Sequence, residues 1–239
     1  RWRRCRAGAP PLRRCSRAAA GGVHAQGQPS KGEQLLKYRK AVYQAINMDL
    51  VRDKIMRGKS RVSGMQIAPE VPGFDAKLNE RFPYDPAAAK ALLTEAGYPD
   101  GFQFNMNCPN DAYVNDEEVC QAMTAMLAQV GLNAKLVTEA RTLHFKKAQE
   151  GQTDMFMIGW ATLPMLDGFS VLSAMLHSPE EKLGTWNPGG YKNAKVDELV
   201  KKIDVELDET KRREMMVEAF AQIDKEEIDP ILSITTKAA

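Results

Sequence analysis

The chain is short of several features that mark common chemistries. No run approaches the about 18 consecutive apolar residues a helix needs to span a bilayer. Histidine is scarce and scattered, at His24, His144 and His177. The four cysteines, at 5, 15, 108 and 120, contain no CxxC pair, so the spacings of a zinc site are excluded. A large charge of one sign is missing too. The formal net charge is +2, which gives no argument for nucleic acid or a membrane surface as partner. There is no GxSxG elbow around Ser170, Ser173 or Ser178 for a nucleophile next to His177. Gly184, Gly189 and Gly190 are not followed by the Lys-Ser/Thr of a phosphate loop.

The most local absence is acid in the head. Residues 1–32 hold seven Arg and no Asp or Glu. They show neither helical nor strand periodicity, and too few apolar side chains to offset the entropy of ordering them. Residues 1–37 are therefore predicted to be a disordered basic head. Val23–Gln26 resembles a signal-peptidase site only faintly, and no apolar core precedes it, so no secretory signal is read here. Text rich in Arg, Ala, Gly and Pro is what a shifted reading frame in GC-rich DNA produces. The head is expected not to be native to the fold behind it.

The body, residues 38–239, alternates helices with strands. The clearest segment is YDPAAAKALLTEAGYPDGF, residues 84–102. Asp85 can accept from free backbone N–H groups at a helix start, and Pro86 suits the first helical position. Gly97 can take the left-handed conformation that ends a helix, and Pro99 blocks its restart. A helix over 86–96 should feed a strand over 102–107. Further helices are expected over 38–56, 116–130, 142–150, from 169, 194–207 and 210–226. Further strands are expected over 132–139, 154–160 and 230–235, with an ordered loop over 59–81. This order predicts an α/β fold with a largely parallel sheet flanked by helices.

Most charged groups have a plain reading. Asp116, Glu117 and Glu118 form the acidic first turn of a helix. Asp204, Glu206, Asp208 and Glu209 among Lys201, Lys202, Lys211, Arg212 and Arg213 read as a solvated pair of charged helices. The methionines at 123, 126, 155, 157, 165 and 175 read as core filling, with a Met-lined ligand site as the alternative. Cys108 and Cys120 are twelve residues apart across strand, loop and helix. They could form a disulfide or remain two buried thiols, because spacing does not fix geometry.

The candidate site is the turn after the strand over 154–160. Open α/β sheets place ligands at the carboxyl ends of strands. Trp160 offers an aromatic wall, and Asp167 a carboxylate that could pair with a cationic group such as a peptide amine. Trp186 and Tyr191 add aromatic surface on the next loop. The alternative reading makes both Trp residues core and Asp167 the N-cap of the next helix.

Four segments resemble one family, the extracytoplasmic solute-binding proteins of family 5, which serve peptide ABC transporters. AVYQAINMD at 41–49 resembles its lobe-opening helix. Residues 65–74, with their Pro pair, resemble its P…PG loop. The 84–102 segment is the most specific. MIGW at 157–160, GTWN at 184–187 and YKNAKVDEL at 191–199 resemble its GW…D and closing motifs. The resemblance implies the C-terminal lobe of a periplasmic-binding-protein-like fold, and a transport component rather than an enzyme. It implies a monomer in the periplasm or another extracytoplasmic space, without cofactor, metal or nucleic acid. Such a protein closes two lobes on a solute, most often a short peptide, and delivers it to an ABC permease in the membrane. Nickel, haem, sugars and opines are carried by other family members. The family's peptide binders carry an Asp in the GWxxD turn, where this chain has Leu163; Asp167 matches a second version of the turn. The large N-terminal lobe is expected before residue 38 and is not in this sequence. The chain alone is therefore expected to bind solute weakly or not at all. The competing readings are an α/β interaction module and, behind it, a small hydrolase.

Overall fold

The computed structural model describes residues 31–162, 166–225 and 233–236. In chain order its elements are α1 (Lys31–Ala45), α2 (Met48–Leu50), β1 (Ser60–Ser63), α3 (Pro86–Glu95) and β2 (Phe102–Pro109). There follow α4 (Asp116–Gln129), β3 (Leu132–Glu139), α5 (Arg141–Gln149), β4 (Met155–Phe156) and α6 (Phe169–Val171). α7 (Ala194–Val205), α8 (Glu209–Lys225) and β5 (Ser233–Thr236) complete the order. Wide-pitch π turns over Val51–Ile55 and Leu172–Leu176 extend α2 and α6. The architecture is α/β, with a parallel sheet flanked by helices.

These elements fall into two compact units. Among the described residues, the first contains 31–46 together with Tyr84–Met157. Its sheet has the order β3-β2-β4, and both pairings are parallel. β2 matches β3 along its whole length, from Phe102 opposite Leu132 to Pro109 opposite Glu139. The caps of α3 are those its residues dictate. Asp85 Oδ1 accepts from Ala88 N–H at 2.9 Å, and Gly97 takes a φ of 91°. Tyr98 N–H then returns to the Leu93 carbonyl at 2.8 Å, which closes the helix end. Tyr38, Ala41, Leu93, Phe104, Met106, Leu127 and Leu132 are buried here. Cys108 on β2 and Cys120 on α4 are joined as a disulfide, with their Cα atoms 6.5 Å apart.

Among the described residues, the second unit contains Asn47–Pro83 and the chain from Ile158 onward. A two-stranded antiparallel ladder of β1 and β5 pairs Ser60 with Thr236. Its core is built from α6, its π turn, α7 and α8, around Phe169, Leu172, Leu176, Val200, Ile203 and Phe220. Gly168 allows the close approach at its centre, since a Cβ there would sit 2.9 Å from the Phe220 ring.

Several expectations need correction. α1 begins at Lys31, so residues 31–37 are helical rather than part of a disordered head. The expectation for residues 1–30 lies outside the described residues. The single helix predicted over 38–56 is interrupted at Ile46–Asn47, where Asn47 Oδ1 accepts from Leu50 N–H at 2.9 Å and starts a new helix. The strand predicted over 154–160 pairs only at Met155–Phe156. Ile158 and Trp160 carry the alternation expected of it, but they pack in the second unit's core. The loop predicted over 59–81 contains β1 and a short 3-10 turn at Ala76–Asn79. The predicted last strand is the four residues of β5.

Candidate functional site

Trp160 and Trp186 lie together in the second unit. Their ring centroids are 6.2 Å apart and the planes meet at 66°, an edge-to-face pair. Both are half-buried against the core, as is Tyr191. The indole N–H of Trp160 is buried and meets no acceptor among the described residues.

The loop that carries Trp186 is fixed by backbone and one buried amide. Gly184 N–H donates to Ser173 carbonyl at 2.7 Å, and Trp186 N–H donates to Ala174 carbonyl at 2.9 Å. Gly184 has a φ of 64°, and a Cβ there would crowd the His177 and Ser178 carbonyls. Asn187 is 6% exposed and uses both ends of its side chain. Its Nδ2 donates to the carbonyls of His177 and Tyr191, each at 2.8 Å. Its Oδ1 accepts from Tyr191 N–H at 2.9 Å. Trp186 and Tyr191 are thus held at the two ends of one hydrogen-bonded loop. Next to it His177 is fully buried, its Nδ1 2.6 Å from the Ser178 carbonyl oxygen and its Nε2 3.8 Å from Asp197.

Both carboxylate oxygens of Asp167 are engaged. Oδ1 accepts from Phe169 N–H at 3.1 Å, the bond of an N-terminal cap. Oδ2 accepts from Arg212 Nε and Nη2, each at 3.0 Å. Arg212 also donates from Nη1 to the Ile203 carbonyl and lies 4.9 Å over the Phe169 ring. Asp167 is therefore arranged to hold Arg212 rather than to wait for a cation from outside. The charged stretch of α8 is correspondingly not uniformly solvated, because Arg212 turns inward. Leu163 lies outside the described residues.

Of the four candidate residues, the structure brings Trp160, Trp186 and Tyr191 to one core margin and joins Asp167 to α8. Reading the sequence missed Asn187, His177 and Arg212 as organisers. Asn187 stands between Trp186 and a Pro-Gly-Gly turn, which is a weak signal for a loop pin. Arg212 had no signal, since its neighbours Lys211 and Arg213 look the same in sequence.

This architecture is that of the periplasmic-binding-protein fold. HbpA2 from Haemophilus parasuis superposes with a TM-score of 0.74 at 22% identity, over 84% of this chain and 40% of that one. A dipeptide binding protein from Pseudoalteromonas sp. SM9913, solved with Met-Leu, gives 0.72 at 24% identity, over 84% of this chain and 39% of that one. In sequence, residues 34–182 match the middle region of the bacterial extracellular solute-binding proteins, family 5. The chain belongs to that family. It is 30% identical to the dipeptide-binding protein of Escherichia coli over 128 residues, 52% of this chain and 24% of that protein. It is 27% identical to di/tripeptide-binding protein 1 of Pseudomonas aeruginosa over 77% of this chain and 34% of that protein. Heme-binding protein A of Haemophilus influenzae is 26% identical over 69% of this chain and 30% of that protein. The chain thus spans about a quarter to a third of the curated relatives it matches.

Proposed function

We propose that the chain supplies one lobe of the substrate-binding component of an ABC importer, working as a monomer outside the cytoplasm. Its task is to capture a small solute, with a short peptide the best fit, for delivery to a membrane permease. It binds and releases its solute unchanged, without catalysis or a cofactor. Family membership supports the transport role, and the relatives named for dipeptides and tripeptides support the solute class.

The observation that carries the reading is the Trp160–Trp186 pair, in which the Trp160 indole N–H meets no acceptor among the described residues. A buried donor without an acceptor costs about 1–3 kcal/mol. A peptide carbonyl or carboxylate supplies the missing acceptor, and the aromatic faces cover its apolar side chains. Asn187 holds Trp186 and Tyr191 in place for this. Asp167 takes part by fixing the turn rather than by meeting the peptide amine.

Calorimetry with a dipeptide such as Met-Leu tests this. Binding proteins of this class clamp solute from two sides, so the 239-residue chain is expected to show a Kd weaker than about 1 mM, near −4 kcal/mol. Micromolar binding by the chain alone would sink the two-sided account. In a longer version that carries a second lobe, the dipeptide should raise the melting temperature. There, Trp160→Ala should weaken binding at least about tenfold, the loss of one aromatic contact. Unchanged affinity in that variant would remove Trp160 from the site.

A further inference from the structure

Met157 is where three restraints of the first unit meet. The ladder of β4 on β2 pairs only as far as Phe156, opposite Asn107. Met157 N–H nevertheless donates to the Asn107 carbonyl at 3.0 Å, which carries β4 one residue further along β2. The Met157 carbonyl in turn lies 2.7 Å from Nε2 of His144, on α5. A carbonyl only accepts, so that ring nitrogen carries the proton. His144 is 0% exposed, and its ring stands edge-on to Phe145 with centroids 5.3 Å apart. The imidazole is therefore a fixed donor. Both backbone polar groups of Met157 are held, so its side chain starts from a set position.

That side chain ends on the disulfide. Its Sδ lies 3.6 Å from Sγ of Cys120, a van der Waals contact, since a disulfide sulfur has no hydrogen to donate. Cys108 and Cys120 are each 0% exposed, whereas Met157 is half-buried. A thioether that meets solvent thus lies against a bond that solvent does not reach. Exchange needs a thiolate to reach one of the two sulfurs, so access limits the rate before intrinsic reactivity does. An unbranched, flexible methionine is suited to filling an irregular gap of this kind.

We propose that Cys108–Cys120 is closed to thiols in the folded chain, that Met157 is the gate over it, and that His144 is a positioning residue for that gate. Reduction then waits on a local opening at Met157. The chemistry that follows is ordinary exchange. One thiolate of dithiothreitol attacks Cys120 Sγ, the S–S bond breaks, and Cys108 leaves as a thiolate and takes up a proton. The reagent's second thiolate displaces Cys120 from the mixed disulfide, and the reagent closes into its own cyclic disulfide. Two electrons pass from the dithiol to the cystine. The gate does not depend on the solute reading, because every contact it uses lies in the first unit.

The test follows reduction of the full chain by dithiothreitol under native conditions. Iodoacetamide quenches the reaction, and peptide mass spectrometry reads Cys108 and Cys120 apart from Cys5 and Cys15. The wild-type rate should be at least about a thousandfold below that in urea above the unfolding midpoint, as access through rare openings requires. Met157→Ala should raise the native rate at least about tenfold. Met157→Leu restores the bulk and should stay within about threefold of wild type. His144→Phe keeps a ring but loses the donor, and should raise the rate at least about threefold. Amide protection over residues 102–106 and 132–136 should stay unchanged in all three, which separates gate opening from loss of the sheet. If Met157→Ala does not fold, His144→Phe with its protection profile decides. A wild-type native rate within about tenfold of the unfolded one overturns the closed bond. A wild-type rate in Met157→Ala, or a rise matched by an equal loss of sheet protection, overturns the gate. A wild-type rate in His144→Phe overturns its positioning role.

Discussion

The two units solve the same problem by different means. In the first, periodic elements do the work. A parallel sheet with eight consecutive register pairs between β2 and β3 is covered by helices whose caps are visible in the residues. In the second, no long strand is present among the described residues. Its order comes from π turns, tight glycines and side chains that bond to backbone, such as Asn187 and Arg212. The contrast suggests that the first unit is the scaffold, and the second is where individual side chains set the geometry of the candidate site. Changes in the first should act on stability, and changes in the second on the shape of one loop.

The sharpest way to break that comparison is at Gly101, where β2 begins. Its φ is 69°, and a Cβ there would overlap the backbone of Gly131. Gly101→Ala should cost about 4 kcal/mol, because neither backbone can give way cheaply. The expected result is a lower denaturant midpoint with lost amide protection over residues 102–109 and 132–139. A loss of protection spread equally over both units would blur the distinction. Next in size is the Cys108–Cys120 disulfide, which closes a short loop with its Cα atoms 6.5 Å apart. Replacing both with Ser should cost about 3 kcal/mol, again read in denaturant with the same first-unit bias.

The sequence was legible where one residue type has one local job. Asp85, Pro86 and Gly97 marked α3 to within a residue, and β3 was bounded correctly at both ends. It was misleading where a residue's job depends on a distant segment. Ile158 and Trp160 alternate like a strand, yet they serve the core of another unit. β1 is four residues long and finds its partner far along the chain at β5, so no local pattern announces it. For the candidate site, the aromatic members were readable because Trp is rare and sat in a recognisable turn. The engagement of Asp167 was not, since a carboxylate facing a ligand and one facing Arg212 look identical in sequence. Only tertiary structure supplies the partner.

Asn187→Ala sharpens the other side of the comparison. The amide makes three hydrogen bonds and is nearly fully buried, so its loss leaves the His177 and Tyr191 carbonyls without their donor. A cost of about 2 kcal/mol is expected, at the middle of the range for orphaned buried groups. The more telling readout is local. Protection should fall across residues 184–191 while the first-unit sheet is unchanged, and the Trp160–Trp186 spectral signature should weaken. Loss of first-unit protection in this variant would contradict the separation of roles.

The smallest effect belongs to Tyr38, in the first unit, and is conditional on pH. Its ring is 2% exposed and packs 5.1 Å from Phe102. Burial pushes its phenol well above the ordinary tyrosine value; the Asp154 carboxylate and Tyr98 add to the rise, and Arg39 opposes it. The sign follows from proton counting. An unfolded tyrosine releases its proton near pH 10, whereas the buried one keeps it, so above about pH 10 the unfolded state binds fewer protons than the native state. The stabilisation is complete below that pH and is lost as pH rises. The slope reaches at most about 1.4 kcal/mol per pH unit for this one group. Tyr38→Phe has no proton to withhold, so its stability should fall less steeply between pH 10 and 11. Urea midpoints at pH 8, 10 and 11 measure the difference. Parallel slopes for the two proteins would mean that the scaffold opens around Tyr38 before the phenol is forced to ionise. In that case the first unit would not be the rigid partner in the comparison.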